Sequence, residues 1–136
     1  FSARMGGGSK YKLIEVLSGV NIMSEYVDLI LGGAPNPVPE KKTKHALMFY
    51  VYCSPGTIEG FHNFDELKNG AVIQDYFLYK LPGATIDKVE NSGDRAAGIL
   101  ITGQSEDEVM DKVKAANEKL QITDIDGNDI MLHNLI

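Results

Sequence analysis

Residues 95–120 read RAAGILITGQSEDEVMDKVKAANEKL, and two periodicities meet inside them. From Arg95 to Thr102 the residues Ile99, Leu100 and Ile101 make a continuous apolar run, which reads as a strand, and Gly103 ends it. From Ser105 onward, Val109, Val113, Ala116 and Leu120 recur at helical spacing and form one apolar stripe. Ser105 is placed to cap this helix, and Glu108 completes a capping box. Glu106, Asp107 and Glu108 in the first turn suit the positive end of the helix dipole and need no active site to explain them.

Upstream of that pair the chain alternates turns and strands. Lys44 to Cys53, with Leu47, Phe49, Tyr50, Val51 and Tyr52, favours a largely buried strand. Ser54-Pro55-Gly56 is a turn, Thr57 to Phe61 a short strand, and Asn63 to Gly70 a capped helical turn. Val72 to Tyr79 reads as a strand, and Pro82-Gly83 supplies the central residues of a type II turn. Ala84 to Val89 is then expected to return as the hairpin partner, making Ala71 to Val89 an antiparallel pair. Asn91 to Asp94 is another turn, and Ile122 to Ile136 holds a short strand, a turn at Asp126-Gly127 and a terminal strand or turn.

Nearer the start, Tyr11, Ile14, Val16, Leu17 and Val20 carry a rough helical period that closes at Gly19. A second helix fits Asn21 to Leu31, with Asn21 as cap and Ile22, Met23, Tyr26, Val27, Ile30 and Leu31 as its buried face. Pro35, Pro37 and Pro39 make Gly32 to Thr43 an extended surface connection. Helices beside antiparallel strands define an α+β fold.

The 136 residues suit one domain, and their net charge of −6 removes the attraction to phosphate backbones and anionic surfaces on which nucleic-acid and membrane-surface binders rely. The longest apolar stretches, Ala46 to Tyr52 and Ala96 to Thr102, fall far short of a bilayer span, and no stretch of these residues reads as a signal peptide, so none is expected. A lone Cys53 has no internal disulfide partner, which agrees with a cytoplasmic location. The chain opens on Phe1 rather than Met, as if cut there.

Several chemistries can be weighed directly. Cys53 has His45 and His62 on either side in sequence, yet nothing local would lower its thiol pKa, so a buried small hydrophobe is the better reading. His45, His62 and His133 share no metal-ligand spacing, which argues against zinc and for surface or turn positions. Asp124, Asp126, Asn128 and Asp129 resemble a calcium loop at first glance, but counted from Asp124 the EF-hand glycine and the bidentate Glu are both misplaced, leaving a solvated turn. Gly8-Ser9-Lys10 has the wrong order for a phosphate-binding loop. One constellation survives: Arg4 followed by Gly6, Gly7 and Gly8. Arginine offers a planar fork for phosphate or carboxylate, and glycines let backbone N–H groups approach an oxyanion; a flexible linker would explain the glycines equally well.

Taken together, Ser2-Ala3-Arg4-Met5-Gly6-Gly7, the two helices with Gly19-Val20-Asn21 between them, Pro55-Gly56-Thr57-Ile58-Glu59-Gly60, Leu81-Pro82-Gly83 and Asn91-Ser92-Gly93-Asp94-Arg95 followed by Gly98, Gly103 and Ser105 form a familiar order. It resembles the C-terminal end of an ATP-grasp enzyme, in the branch of L-amino acid ligases, biotin carboxylases and carbamoyl-phosphate synthases. The resemblance covers nearly the whole chain through turn residues. It implies that residues 1–8 are the end of the ATP-grasp core strand and its glycine loop, and that residues 9–136 are the C-terminal α+β subdomain. The family's Glu-x-Asn-x-Arg strand would then have its Glu just before Phe1. A parent of this kind uses ATP and Mg2+ to phosphorylate a carboxylate, and an amine or other nucleophile attacks the acyl phosphate.

Carried over by position, Arg4 is the catalytic residue, contacting the transferring phosphate or the acyl intermediate. Arg4, Gly6 and Gly7 bind substrate, the glycines through their backbone donors. Ser2 stands where many members keep a magnesium-binding Asn and is a poor substitute, so no metal ligand is expected. No cofactor is expected on the chain alone, which should be inactive and cap the active site of a parent. Its partners are then the remainder of that ATP-grasp chain and a second copy in a homodimer, with no nucleic acid and no membrane. The alternatives are a small self-contained α+β module binding a ligand or a protein, and a small enzyme using Cys53.

Overall fold

The structure is a computed structural model and describes residues 8–40, 43 and 45–134. The unalternating apolar run becomes β5 (Ala97–Gly103), which lies between β1 (His45–Val51) and β3 (Asp75–Leu78) in an antiparallel sheet of order β1-β5-β3. The register runs from His45 opposite Gly103 to Val51 opposite Ala97 on one side, and from Asp75 opposite Leu100 to Leu78 opposite Ala97 on the other. A strand hydrogen-bonded on both edges and covered on both faces gains nothing from polar alternation, which is why Ile99, Leu100 and Ile101 all sit inside. The helix α4 (Glu106–Lys119) follows as its spacing requires, burying Val109, Val113 and Ala116. Ser105 accepts from the Glu108 amide at 3.1 Å, and the Glu108 carboxylate reaches back to the Gln104 amide at 2.8 Å.

A second antiparallel sheet has β2 (Gly56–His62) at its centre, flanked by β4 (Thr85–Ile86) and β6 (Gln121–Asp124). Here the expected hairpin is corrected. β3 pairs with β5, and β4 pairs with β2, so the chain changes sheets between Leu78 and Thr85. The type II turn is still there, with Gly83 at φ +91° and the Ala84 amide on the Leu81 carbonyl at 3.0 Å. It hands the strand to a new partner, because the Gly83 and Ile58 amides bond to the Ile58 and Ala84 carbonyls respectively. The two sheets share one core, in which Ile58 and Ile122 of the second meet Val51, Ile99 and Ile101 of the first. Beyond β1, Cys53 forms an isolated antiparallel bridge to Met131 that stitches the C-terminal segment to the core. Between β2 and β3, α3 (Phe64–Asn69) packs Phe64 edge-on against Phe61 and Tyr76. Asn63 does not cap it with its side chain as expected; the residue takes a left-handed φ of 68° and its amide group donates to the Lys119 carbonyl at 2.6 Å.

The two N-terminal helices are α1 (Lys10–Ser18), ended by left-handed Gly19, and α2 (Ile22–Ile30), capped by Asn21 through the Ser24 amide at 3.0 Å. α1 rests on β1. The expected buried face of α2 is not buried: Met23, Tyr26, Val27, Ile30 and Leu31 are all exposed, Leu31 at 79%. The helix forms for the reasons its sequence supplies, but no element among the described residues covers its apolar side.

Candidate functional site

Ser2, Arg4, Gly6 and Gly7 lie outside the described residues. Gly8, the next residue, is held by the β1-β5-β3 sheet. The Tyr50 hydroxyl donates to the Gly8 carbonyl, and the hydroxyls of Ser9 and Tyr79 share a hydrogen bond at 2.5 Å. The register places these tyrosines. Tyr50 stands opposite Gly98, and a Cβ on Gly98 would come within 2.8 Å of the Tyr79 hydroxyl, so a glycine there lets the Tyr79 ring cross the strand. The two rings meet tilted, with centroids 6.4 Å apart.

Arg95 completes the cluster. Asn91 caps the short 3-10 turn Ser92–Asp94, whose Asp94 carboxylate folds back onto the Glu90 and Asn91 amides at 2.8 and 2.9 Å. Those amides hold the Asp94 carboxyl below its usual range. The turn delivers Arg95 to the mouth of β5 with its guanidinium carbon 3.8 Å from the Tyr50 ring centroid and its Nε donating to the Tyr52 hydroxyl at 3.3 Å. Tyr50 and Tyr52 are two residues apart along one strand direction and so face the same way, which is why one guanidinium reaches both. Burial raises the Tyr50 phenol above its ordinary pKa, outweighing the opposing effect of Arg95, and keeps its proton available for the Gly8 carbonyl. Around this stack opens a cleft of about 510 Å3 lined by Gly8, Lys10, Leu13, Met48, Ser92 and Arg95.

The other sequence candidates are not gathered into a site. Cys53 is fully buried, and burial followed by the nearby Asp129 charge pushes its thiol up to about 12, the opposite of an activated nucleophile. His62 bonds Thr123 at 2.8 Å, and His133 bonds the Asn117 carbonyl at 2.7 Å and Asp129 at 3.1 Å; both lie on the surface, as does His45. The Asp124 carboxylate is filled by the Asn128 and Asp126 amides at 2.8 and 2.9 Å and by the Asn128 side chain, which makes a turn rather than a calcium loop. Sequence reasoning placed Arg95 at the start of a strand and missed its partners. The available signal was the alternation of Tyr50 and Tyr52 opposite a strand that begins with arginine.

Two antiparallel sheets with flanking helices are the architecture of the C-terminal region of ATP-grasp ligases. Residues 48–123 match the family described as L-amino acid ligase C-terminal domain 2, and the chain belongs to that family. Over 90% of its length it is similar to phosphoribosylglycinamide synthetase from Anaerococcus prevotii, with a TM-score of 0.71 and 17% identity, covering 32% of that chain. The same share is similar to L-amino acid ligase from Bacillus licheniformis, with a TM-score of 0.65 and 21% identity, covering 31% of that chain. The chain therefore spans about a third of the length of the solved structures it matches. No curated protein matches the sequence. Among the described residues no helix is long and apolar enough to cross a membrane.

Proposed function

We propose that this chain is the C-terminal part of a cytoplasmic, ATP-dependent carboxylate–amine ligase that works through an acyl phosphate. Membership of the ligase family carries the reading, and the docking of Gly8 and Ser9 onto Tyr50 and Tyr79 supports it, because these two residues, next in sequence to the candidate segment, pack on the family domain. Residues 1–8 are in this reading the end of the core strand and its glycine loop, and residues 9–136 the subdomain that closes over the site. Arg4 neutralises charge on the transferring phosphoryl group or the acyl intermediate, and the Gly6 and Gly7 amides donate to substrate oxygens. Tyr50 and Tyr79 hold Gly8 and Ser9, which follow that segment in sequence.

ATP and Mg2+ enter this reading as groups of the parent enzyme, and the described residues bring together no group of His, Cys, Asp or Glu able to hold a metal ion. The chemistry of those groups belongs to the remaining two-thirds of a longer enzyme, and the chain alone is inactive. The full enzyme is expected to release ADP only when an amino acid pair and Mg-ATP are both supplied. Arg4→Gln should lower kcat by about 100-fold, the scale of losing one transition-state charge donor. Unchanged turnover in that variant overturns the role of Arg4. The 136-residue chain should show no thermal shift with Mg-ATP, and a clear saturable shift contradicts the fragment reading.

A further inference from the structure

Arg95 spends only part of its hydrogen-bonding capacity. Its Nε is taken by Tyr52 and its plane is fixed by stacking on Tyr50, but among the described residues neither Nη group meets an acceptor. This is not for want of acids. All nineteen Asp and Glu side chains of the sequence are among the described residues, and none forms an ion pair with Arg95 or with Lys10 beside it. Asp94, adjacent in sequence, has its carboxylate turned into its own backbone turn. The contrast with the cleft beside Lys80 and Lys88 is direct: Asp87, Glu90 and Asp94 line that one and match its cations. The Arg95 cleft offers two cations, the Ser92 hydroxyl and an apolar wall of Leu13 and Met48, with no acid in its lining.

We propose that the cleft between α1 and the Tyr50–Arg95 stack binds the carboxylate or phosphate group of a small molecule, with the Arg95 Nη groups as a bidentate donor fork, Lys10 as a second cation and Leu13 and Met48 against an aliphatic body. A guanidinium already stacked and anchored at Nε is held flat and loses little freedom when it grips a planar or tetrahedral anion. The net charge of −6 disfavours a polyanion, which makes a small ligand the fitting occupant. The site rests on these side chains and stands without the ligase reading.

The test is a titration of the 15N-labelled full chain at constant ionic strength, following the Arg95 Nε–Hε and Ser92 amide signals while chloride is replaced by inorganic phosphate or by acetate. Saturable shifts confined to the cleft are expected. Saturation by phosphate alone assigns a phosphoryl ligand, and saturation by acetate, alone or with phosphate, assigns a carboxylate. Arg95→Gln should weaken binding by about tenfold or more, as expected for losing a charge-assisted pair. Lys10→Gln should weaken it several-fold, and Lys114→Gln, on the far helix, should leave it unchanged. Shifts that stay linear with both anions overturn the proposal, as does undiminished affinity in a natively folded Arg95→Gln chain. Should that variant unfold, undiminished affinity in Lys10→Gln overturns it instead.

Discussion

α2 and α4 are built to the same recipe and end differently. Each has a polar cap that accepts from a backbone amide, Asn21 in one and Ser105 in the other, and each carries an apolar stripe. α4 buries Val109, Val113 and Ala116 against β5, whereas α2 buries none of its residues. An amphipathic pattern therefore specifies that a helix has a face to hide, and says nothing about where the covering surface comes from. For α4 the cover is the strand immediately before it in sequence. For α2 no element among the described residues plays that part.

Truncations on the two sides of this contrast should differ most. Ile101→Ala, at a fully buried position of β5, is expected to cost about 2–5 kcal/mol in urea unfolding. A loss below 1 kcal/mol there would place the core elsewhere. Ser105→Ala, which frees the Glu108 amide, should cost about 1 kcal/mol and shorten amide protection in the first turn of α4. A smaller effect is expected from the turn that follows β6. The Asn128 amide, with the Asn128 side chain and the Asp126 and Gly127 amides, holds the Asp124 carboxyl below its ordinary range. Its contribution is complete above the ordinary carboxylate pKa of about 4 and fades as pH falls through the lowered folded value. Asp124→Ala should accordingly flatten the acid limb of a Tm-versus-pH profile while leaving the slope above pH 6 alone. Smallest of all, Ile30→Ser on the exposed face of α2 should move the stability of this chain by no more than about 0.5 kcal/mol. The same substitution in the full ligase should cost clearly more, and equal values in both would separate α2 from any covering surface.

Much of the fold was legible because it is local. The β5–α4 unit, the Gly19 stop, the Asn21 cap and the turn at Leu81–Ala84 all follow from residues within a few positions of one another. Strand partners were not legible in the same way. A turn with the right dihedral angles looks identical whether the next strand folds back or crosses to another sheet, and only the burial of Ile86 near Ile58 decides it. The site divides along the same line. The Arg4-Gly6-Gly7 segment is a candidate from sequence order alone and lies outside the described residues, whereas the Tyr50–Arg95 stack depends on Val51 standing opposite Ala97, a register set by the packing of a whole sheet.

The seam between Cys53 and Met131 offers a clock for opening. The thiol is sealed beneath the C-terminal segment, with its pKa near 12, so an alkylating reagent at neutral pH finds almost no thiolate while that bridge is closed. Since the sequence holds a single cysteine, each molecule can take only one adduct, and the growth of that mass peak with time reports how often the seam comes apart.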